Sequence, residues 1–143
     1  MKKIHLILFF ILFSTFFISL NADAAFFDPK NKWQTITTEH FRIHYPKRIE
    51  KTAIKSAEIS EEVYPGLIKR WDWKPWGKIQ MILSDDKDDA NGWASFLPYN
   101  WIALWIAPPE PDSAIANYDD WLRMLISHEL THIVQLDGAE ENR

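Results

Sequence analysis

The sequence predicts an α+β fold, in which a small sheet packs on helices, and three features of the chain lead to this class. Polar and apolar residues alternate over residues 33–46, which is typical of a two-stranded hairpin. Apolar residues spaced three and four apart indicate amphipathic helices at residues 49–64 and 118–137. Strand-like runs at residues 78–84 and 101–107 lie between the helices, so the two element types are not strictly alternating.

The composition is that of one globular domain. The chain has 143 residues, of which 47% are hydrophobic and 25% charged. Its formal net charge of −4 offers no basic surface, so we expect no nucleic-acid partner. It contains no cysteine, which excludes a disulfide framework and a lipid-modified cysteine.

The N-terminus reads as a secretory signal peptide at residues 1–24. Two lysines precede an apolar run at residues 4–20, and Ala22 and Ala24 occupy the small-residue positions of a cleavage site. We therefore expect an exported protein of the periplasm, cell envelope or extracellular space, with no stable membrane span in residues 25–143. An uncleaved anchor is the alternative, because the apolar run is at the short end of what crosses a bilayer.

The eight tryptophans all follow this segment. Aromatic side chains bury large areas, so core packing is the expectation for most of them. A tryptophan-rich surface that binds a sugar or protein partner is the alternative. These residues are Trp33, Trp71, Trp73, Trp76, Trp93, Trp101, Trp105 and Trp121.

The hairpin is predicted to turn near residues 38–40. His40, Arg42 and His44 would then share one face. A solvated polar face explains them as well as a metal site does, so we leave them outside the candidate site. The following helix is predicted to stop or kink at Pro65 and Gly66.

The last helix is predicted to begin at an Asn117 cap, with Asp119 and Asp120 in its first turn, and to stop at Gly138. At about 100° per residue, one side of this helix is continuously apolar. That side consists of Leu122, Ile126, Leu130, Ile133 and Val134.

The same helix carries the stretch SHELTHIVQLDG, with His128 followed by Glu129 and then by His132. Histidines four residues apart project side by side, and neutral imidazoles bind Zn²⁺. A buried glutamate beside them would be costly without a cation or hydrogen bonds. We therefore predict a zinc site with His128 and His132 as ligands and Glu129 as the general base that deprotonates a zinc-activated water. Two histidines satisfied within the fold are the alternative.

This stretch carries a family resemblance. HELTH continuing into IVQLD is similar to the active-site helix of thermolysin-like enzymes. More of the chain resembles the front half of bacterial peptidase-MA-type domains, exported metallopeptidases of the gluzincin type that are often followed by Tol-type β-propeller repeats. The similar stretches are TEHFRIHYP, DDANGWASFLPYNWIALW and NYDDWLRMLISHELTHIVQLD.

The resemblance implies a zincin-like fold with a buried HExxH helix, zinc as cofactor and hydrolysis of a peptide or protein substrate. It assigns His128 and His132 as metal ligands and Glu129 as the base. It also implies that an edge strand beside the helix binds the peptide in extended form, and residues 101–106 are the candidate strand. A β-propeller domain in a longer parent chain is a further possible partner.

The third zinc ligand is not evident. A metzincin would have glycine at Gln135 and histidine at Gly138, so that class is excluded. Asp137 lies about 140° around the helix from His132 and faces elsewhere. Only Glu140 and Glu141 remain as glutamates in this part of the chain.

Gluzincins take this ligand from a later helix, so we expect residues 25–143 to be the N-terminal portion of a zincin-like domain. These residues alone would then lack a complete zinc site. The alternative function is a noncatalytic or truncated envelope protein that binds through its tryptophans, with zinc absent or structural.

Overall fold

A computed structural model of the chain describes residue 27 and residues 30–88, 91–107 and 120–141. The predicted signal peptide at residues 1–24 and the predicted Asn117 cap lie outside these residues. Within them, no helix combines the length and the apolar character needed to cross a bilayer.

The described residues form an α+β fold with five strands and two helices, which confirms the predicted class. The elements follow the order β1 (Trp33–Thr37), β2 (Phe41–Pro46), a 3-10 turn (Lys47–Ile49), α1 (Glu50–Trp71), β3 (Ile79–Ser84), β4 (Asn91–Ser95), β5 (Trp101–Trp105) and α2 (Trp121–Glu141).

The strands make one mixed sheet in the order β1-β2-β3-β5-β4. The central pairs β2–β3 and β3–β5 are parallel, whereas the two edge strands are antiparallel to their neighbours. Parallel neighbours need a crossover connection, and α1 supplies it between β2 and β3. Strand β5 pairs with β3 on one side and with β4 on the other, so β4 lies at the edge of the sheet.

Both helices contribute to a single apolar core on one face of the sheet. Alternation along each strand places every second side chain on this face. One row in register across all five strands consists of Ile36, Ile43, Met81, Ile102 and Ala94. The apolar side predicted for the last helix is buried, as expected, at Leu122, Ile126, Leu130, Ile133 and Val134.

The hairpin prediction is confirmed, because β1 and β2 pair across the turn at residues 38–40. His40 departs from the shared face predicted for it, since it precedes the strand and its ring stacks on Tyr64 of α1 with centroids 4.2 Å apart. His44 lies on the opposite face of the sheet, where its Nδ1 is 2.9 Å from the Thr35 hydroxyl and its Nε2 is 3.1 Å from Gln80 Oε1.

Neither helix stops at the residue predicted to end it, because each continues past its predicted breaker. Helix α1 runs through Pro65 to Trp71, held by the buried Tyr64 before the proline and by Ile68 after it. Gly138 lies inside α2, where an added Cβ would come 3.0 Å from the indole of Trp73. Tertiary packing has therefore outweighed the local breaking tendency of both residues.

The expectation that most tryptophans pack in the core is also wrong. Only Trp105 among them is buried, and four are exposed, with Trp76 reaching 78%. Trp33 and Trp93 lie on the sheet face opposite the helices. Trp71 ends α1 and Trp76 lies on the α1–β3 connection, so none of the four is enclosed by the core between the helices and the sheet. The exposed four are Trp33, Trp71, Trp76 and Trp93.

Candidate functional site

Helix α2 positions the three residues of the predicted site. Asp120 caps its start, since its carboxylate accepts a hydrogen bond from the backbone N–H of Arg123 at 3.1 Å. The Arg123 guanidinium in turn donates to Glu62 of α1 at 2.6 Å. The cap fixes where the helix begins, and the ion pair ties it to its neighbour.

The two histidines lie together, as their spacing predicted. His128 Nε2 and His132 Nε2 are 3.1 Å apart, and the rings are nearly perpendicular with centroids 4.7 Å apart. Both side chains are exposed, so the helix is not buried on this side, in contrast to the buried HExxH helix that the resemblance implies. The core takes the opposite side of α2, so the histidines fall at its outer boundary, where a ligand has access.

The pair fits zinc as a donor set. Two nitrogens that share a tetrahedral zinc ion lie about 3.3 Å apart at ordinary bond lengths. The observed 3.1 Å between the Nε2 atoms is close to that spacing. The same distance also suits a hydrogen bond from one ring to the other, so the geometry accommodates the metal without requiring it.

Glu129 differs from the histidines because it is buried, with 5% of its surface exposed. It packs against strand β4, where a Cβ built on Gly92 would come 2.3 Å from Glu129 Oε1. Burial raises the pKa of Glu129 above its ordinary value, and the charges of His128 and His132 oppose that shift. A glutamate with a raised pKa next to two imidazoles suits proton transfer near neutral pH.

A third metal ligand is not found among the described residues, which contain no group of three histidine, cysteine, aspartate or glutamate side chains placed to hold an ion. Asp137 is engaged elsewhere, as the helix geometry predicted. The side chains of Glu140 and Glu141 lie outside the described part of the chain. A glutamate as the third ligand therefore stays a prediction.

The contacts of Asp137 show what it does instead. Its carboxylate accepts hydrogen bonds from Trp73 Nε1 and the backbone N–H of Trp76, both at 3.0 Å. The side-chain amide of Asn100 donates to its other oxygen at 3.1 Å. Asp137 thus fixes the C-terminal half of α2 to the α1–β3 connection and to the start of β5.

The edge strand beside the helix is β4, which corrects the prediction of residues 101–106. Those residues form β5 and the residue after it, and β5 lies inside the sheet between β3 and β4. Helix α2 contacts both strands, but among the strands of the described residues only β4 has an unpaired edge next to the helix. The continuous apolar character of residues 101–106 marks burial, which is the opposite of what an edge strand needs.

Strand β4 and the role of Gly92 are not predicted from the sequence. Asn91 and Gly92 are turn residues, so this segment favours a loop. The alternation of small residues with Trp93 along NGWAS was the available signal, and five residues is too short a window for it to stand out.

The histidines of the hairpin do not join the site. His40 is hydrogen-bonded to Glu61 and His44 to Thr35 and Gln80, so each has protein partners for its ring nitrogens. Leaving them out of the candidate site agrees with these contacts.

No protein-family model, no curated protein and no solved structure matches this chain.

Proposed function

We propose that this chain carries the metal-binding helix and the general base of an exported, zinc-dependent peptidase of the gluzincin type. The observation that carries the proposal is the arrangement on α2, where two imidazole nitrogens face each other at 3.1 Å beside a buried glutamate. The similarity of HELTHIVQLD to thermolysin-like helices supports the same assignment, as does the signal-like N-terminus.

In this proposal His128 and His132 hold the metal through their Nε2 atoms. Zinc, when bound, would polarise the scissile carbonyl and acidify the attacking water. Glu129 accepts the proton of that water and passes it to the leaving amine. Burial against β4 favours this role, because a raised pKa leaves the carboxylate basic enough to take a proton near neutral pH.

The edge of β4 is the natural place for the substrate. A strand at a sheet edge presents unpaired backbone N–H and C=O groups, and an extended peptide pairs with them. Because Gly92 of β4 contacts Glu129, a peptide on this edge would lie next to the base. We propose a peptide or protein substrate bound in extended form, within a zincin-like domain whose remaining ligand comes from a glutamate.

The test is the substitution Glu129→Gln with zinc titration and peptide cleavage measured together. We expect cleavage to fall by about 10³-fold to 10⁴-fold while the zinc dissociation constant stays within about threefold. The matched control is Glu61→Gln, which changes a glutamate that is also paired with a histidine but lies on α1. Cleavage that survives Glu129→Gln would rule out this mechanism.

A second candidate is a noncatalytic binding module, and the exposure of Trp76 and Trp71 favours it. Exposed indoles stack on sugars and fill apolar contacts of a protein partner. Tryptophan fluorescence during titration with envelope polysaccharide distinguishes the two functions. A response lost in Trp76→Ala and unchanged in His132→Ala would favour the binding module.

A further inference from the structure

Gly92 lies at a close contact between strand β4 and the Glu129 side chain of α2. A Cβ built on it would approach three Glu129 atoms, coming 2.3 Å from Oε1, 2.5 Å from Cδ and 2.6 Å from Cγ. No side chain tolerates separations that short, so any residue other than glycine forces one of the two groups to move. The clash involves the Glu129 side chain as far in as Cγ and not only its tip.

Glycine is costly in a strand, because it loses more conformational freedom on folding than other residues do. A strand glycine with an ordinary backbone conformation therefore marks a close approach of another group. The described glycines differ on this point, since Gly66 and Gly77 have nothing within 4 Å of the added Cβ. Gly92 alone among the four meets a carboxylate.

We propose that Gly92 is a positioning residue for Glu129. Its missing side chain leaves the space in which the carboxylate rests between α2 and β4. With a methyl group there, the Glu129 side chain has to rotate away, whereas the exposed imidazoles of His128 and His132 keep their places. This inference rests on the proposed function, because a displaced Glu129 is detected as a loss of peptide cleavage.

The first experiment compares Gly92→Ala with Gly66→Ala in the full chain. Each adds one methyl group, but only the first meets another group. We expect Gly92→Ala to lower kcat by roughly 100-fold, because a displacement of about 1 Å costs that much at a reacting centre. KM and the zinc dissociation constant should stay within about threefold, and Gly66→Ala should match the wild type in all three measurements.

Combining substitutions separates positioning from a general effect on folding. Gly92→Ala added to Glu129→Gln should cause no further loss of turnover, because the base is already gone. In thermal unfolding, Gly92→Ala should lower Tm by roughly 5 to 10 °C when Glu129 is present and by less than about 2 °C in a Glu129→Ala background, where the clashing atoms are removed.

Two results would contradict a positioning role for Gly92. Full turnover in Gly92→Ala, or an equal fall in Tm with and without the Glu129 side chain, would overturn the inference. If the protein that includes the expected glutamate ligand cleaves no peptide, the proposed function fails. The unfolding comparison then still decides whether Gly92 determines where Glu129 lies.

Discussion

Two regions of this molecule set a glutamate beside histidine, and they differ in how the polar atoms are satisfied. At the hairpin turn, Glu61 of α1 accepts hydrogen bonds from the ring and the backbone N–H of His40, at 2.7 and 2.8 Å. On α2, His128 Nε2 and His132 Nε2 lie 3.1 Å from each other, and within the described residues these rings and Glu129 make no other side-chain hydrogen bond. In the first region histidine and glutamate are paired with each other, whereas in the second Glu129 has no hydrogen-bond partner among the described residues.

The pKa directions express the same difference. Burial raises the pKa of Glu61, but the hydrogen bonds from His40 and Thr38 outweigh it, so the net shift is downward. For Glu129 burial prevails and the pKa is raised. A histidine and glutamate in contact therefore do not identify a site; ring and carboxylate atoms that lack a protein partner at an accessible position do so better.

The largest effect should come from removing one imidazole of the α2 pair. His132→Ala should weaken zinc binding roughly 1,000-fold, about 4 kcal/mol, because a single imidazole remains. His40→Ala should leave the affinity unchanged, since the ring of His40 is already paired with Glu61. Isothermal titration with zinc measures both, and equal affinities for wild type and His132→Ala would erase the distinction between the two regions.

Asp137 sharpens the comparison. It lies on the same helix as Glu129, but its carboxylate accepts hydrogen bonds from the protein, as that of Glu61 does. Asp137→Ala should cost about 3 kcal/mol of unfolding free energy, since Trp73 Nε1, the Trp76 N–H and the Asn100 amide all lose an acceptor. Urea denaturation measures the loss. Asp137→Asn keeps one acceptor oxygen and should cost less, and a large fall in zinc affinity would show instead that Asp137 is a ligand.

Glu61→Gln should cost about 1 kcal/mol at pH 7. The folded pKa of Glu61 is lowered, so its contribution is present above the ordinary value of 4.5 and is lost as the pH falls through the folded pKa. The difference in Tm between Glu61→Gln and the wild type should therefore shrink on acidification. A difference that is constant between pH 7 and pH 3 would mean that ionisation of Glu61 plays no part.

Glu129→Gln should have the smallest effect on stability, and in the opposite direction. The folded pKa is raised, so the stability linked to Glu129 is complete below the ordinary value of 4.5 and is lost as the pH rises through the folded pKa. In the metal-free protein the substitution should raise the unfolding free energy by about 0.5 kcal/mol at pH 8, and should have no effect near pH 4. Destabilisation at pH 8 would mean that the ionised carboxylate of Glu129 stabilises the fold, as that of Glu61 does.

Local sequence patterns predict most of the helices and strands, but not the edge strand β4 or the ends of the helices. The hairpin, the two helices and the strand over residues 78–84 follow from periodicity, because period and burial are linked within one element. Strand β4 does not, because its five residues are too short a window for the alternation to stand out. The passage of α1 through Pro65 does not either, because it depends on packing against elements distant in the chain. The same holds for Gly138, whose neighbour Trp73 lies on another element.

The sequence by itself determined that His128 and His132 project together from one helix with Glu129 between them, because 3.6 residues per turn fix that relation wherever the helix packs. Only the tertiary structure decided that the imidazoles reach solvent while Glu129 is buried against Gly92, and that β4 rather than β5 forms the free edge. Burial and strand order depend on which surfaces pack together in the folded chain, and the spacing of residues within one element does not determine this.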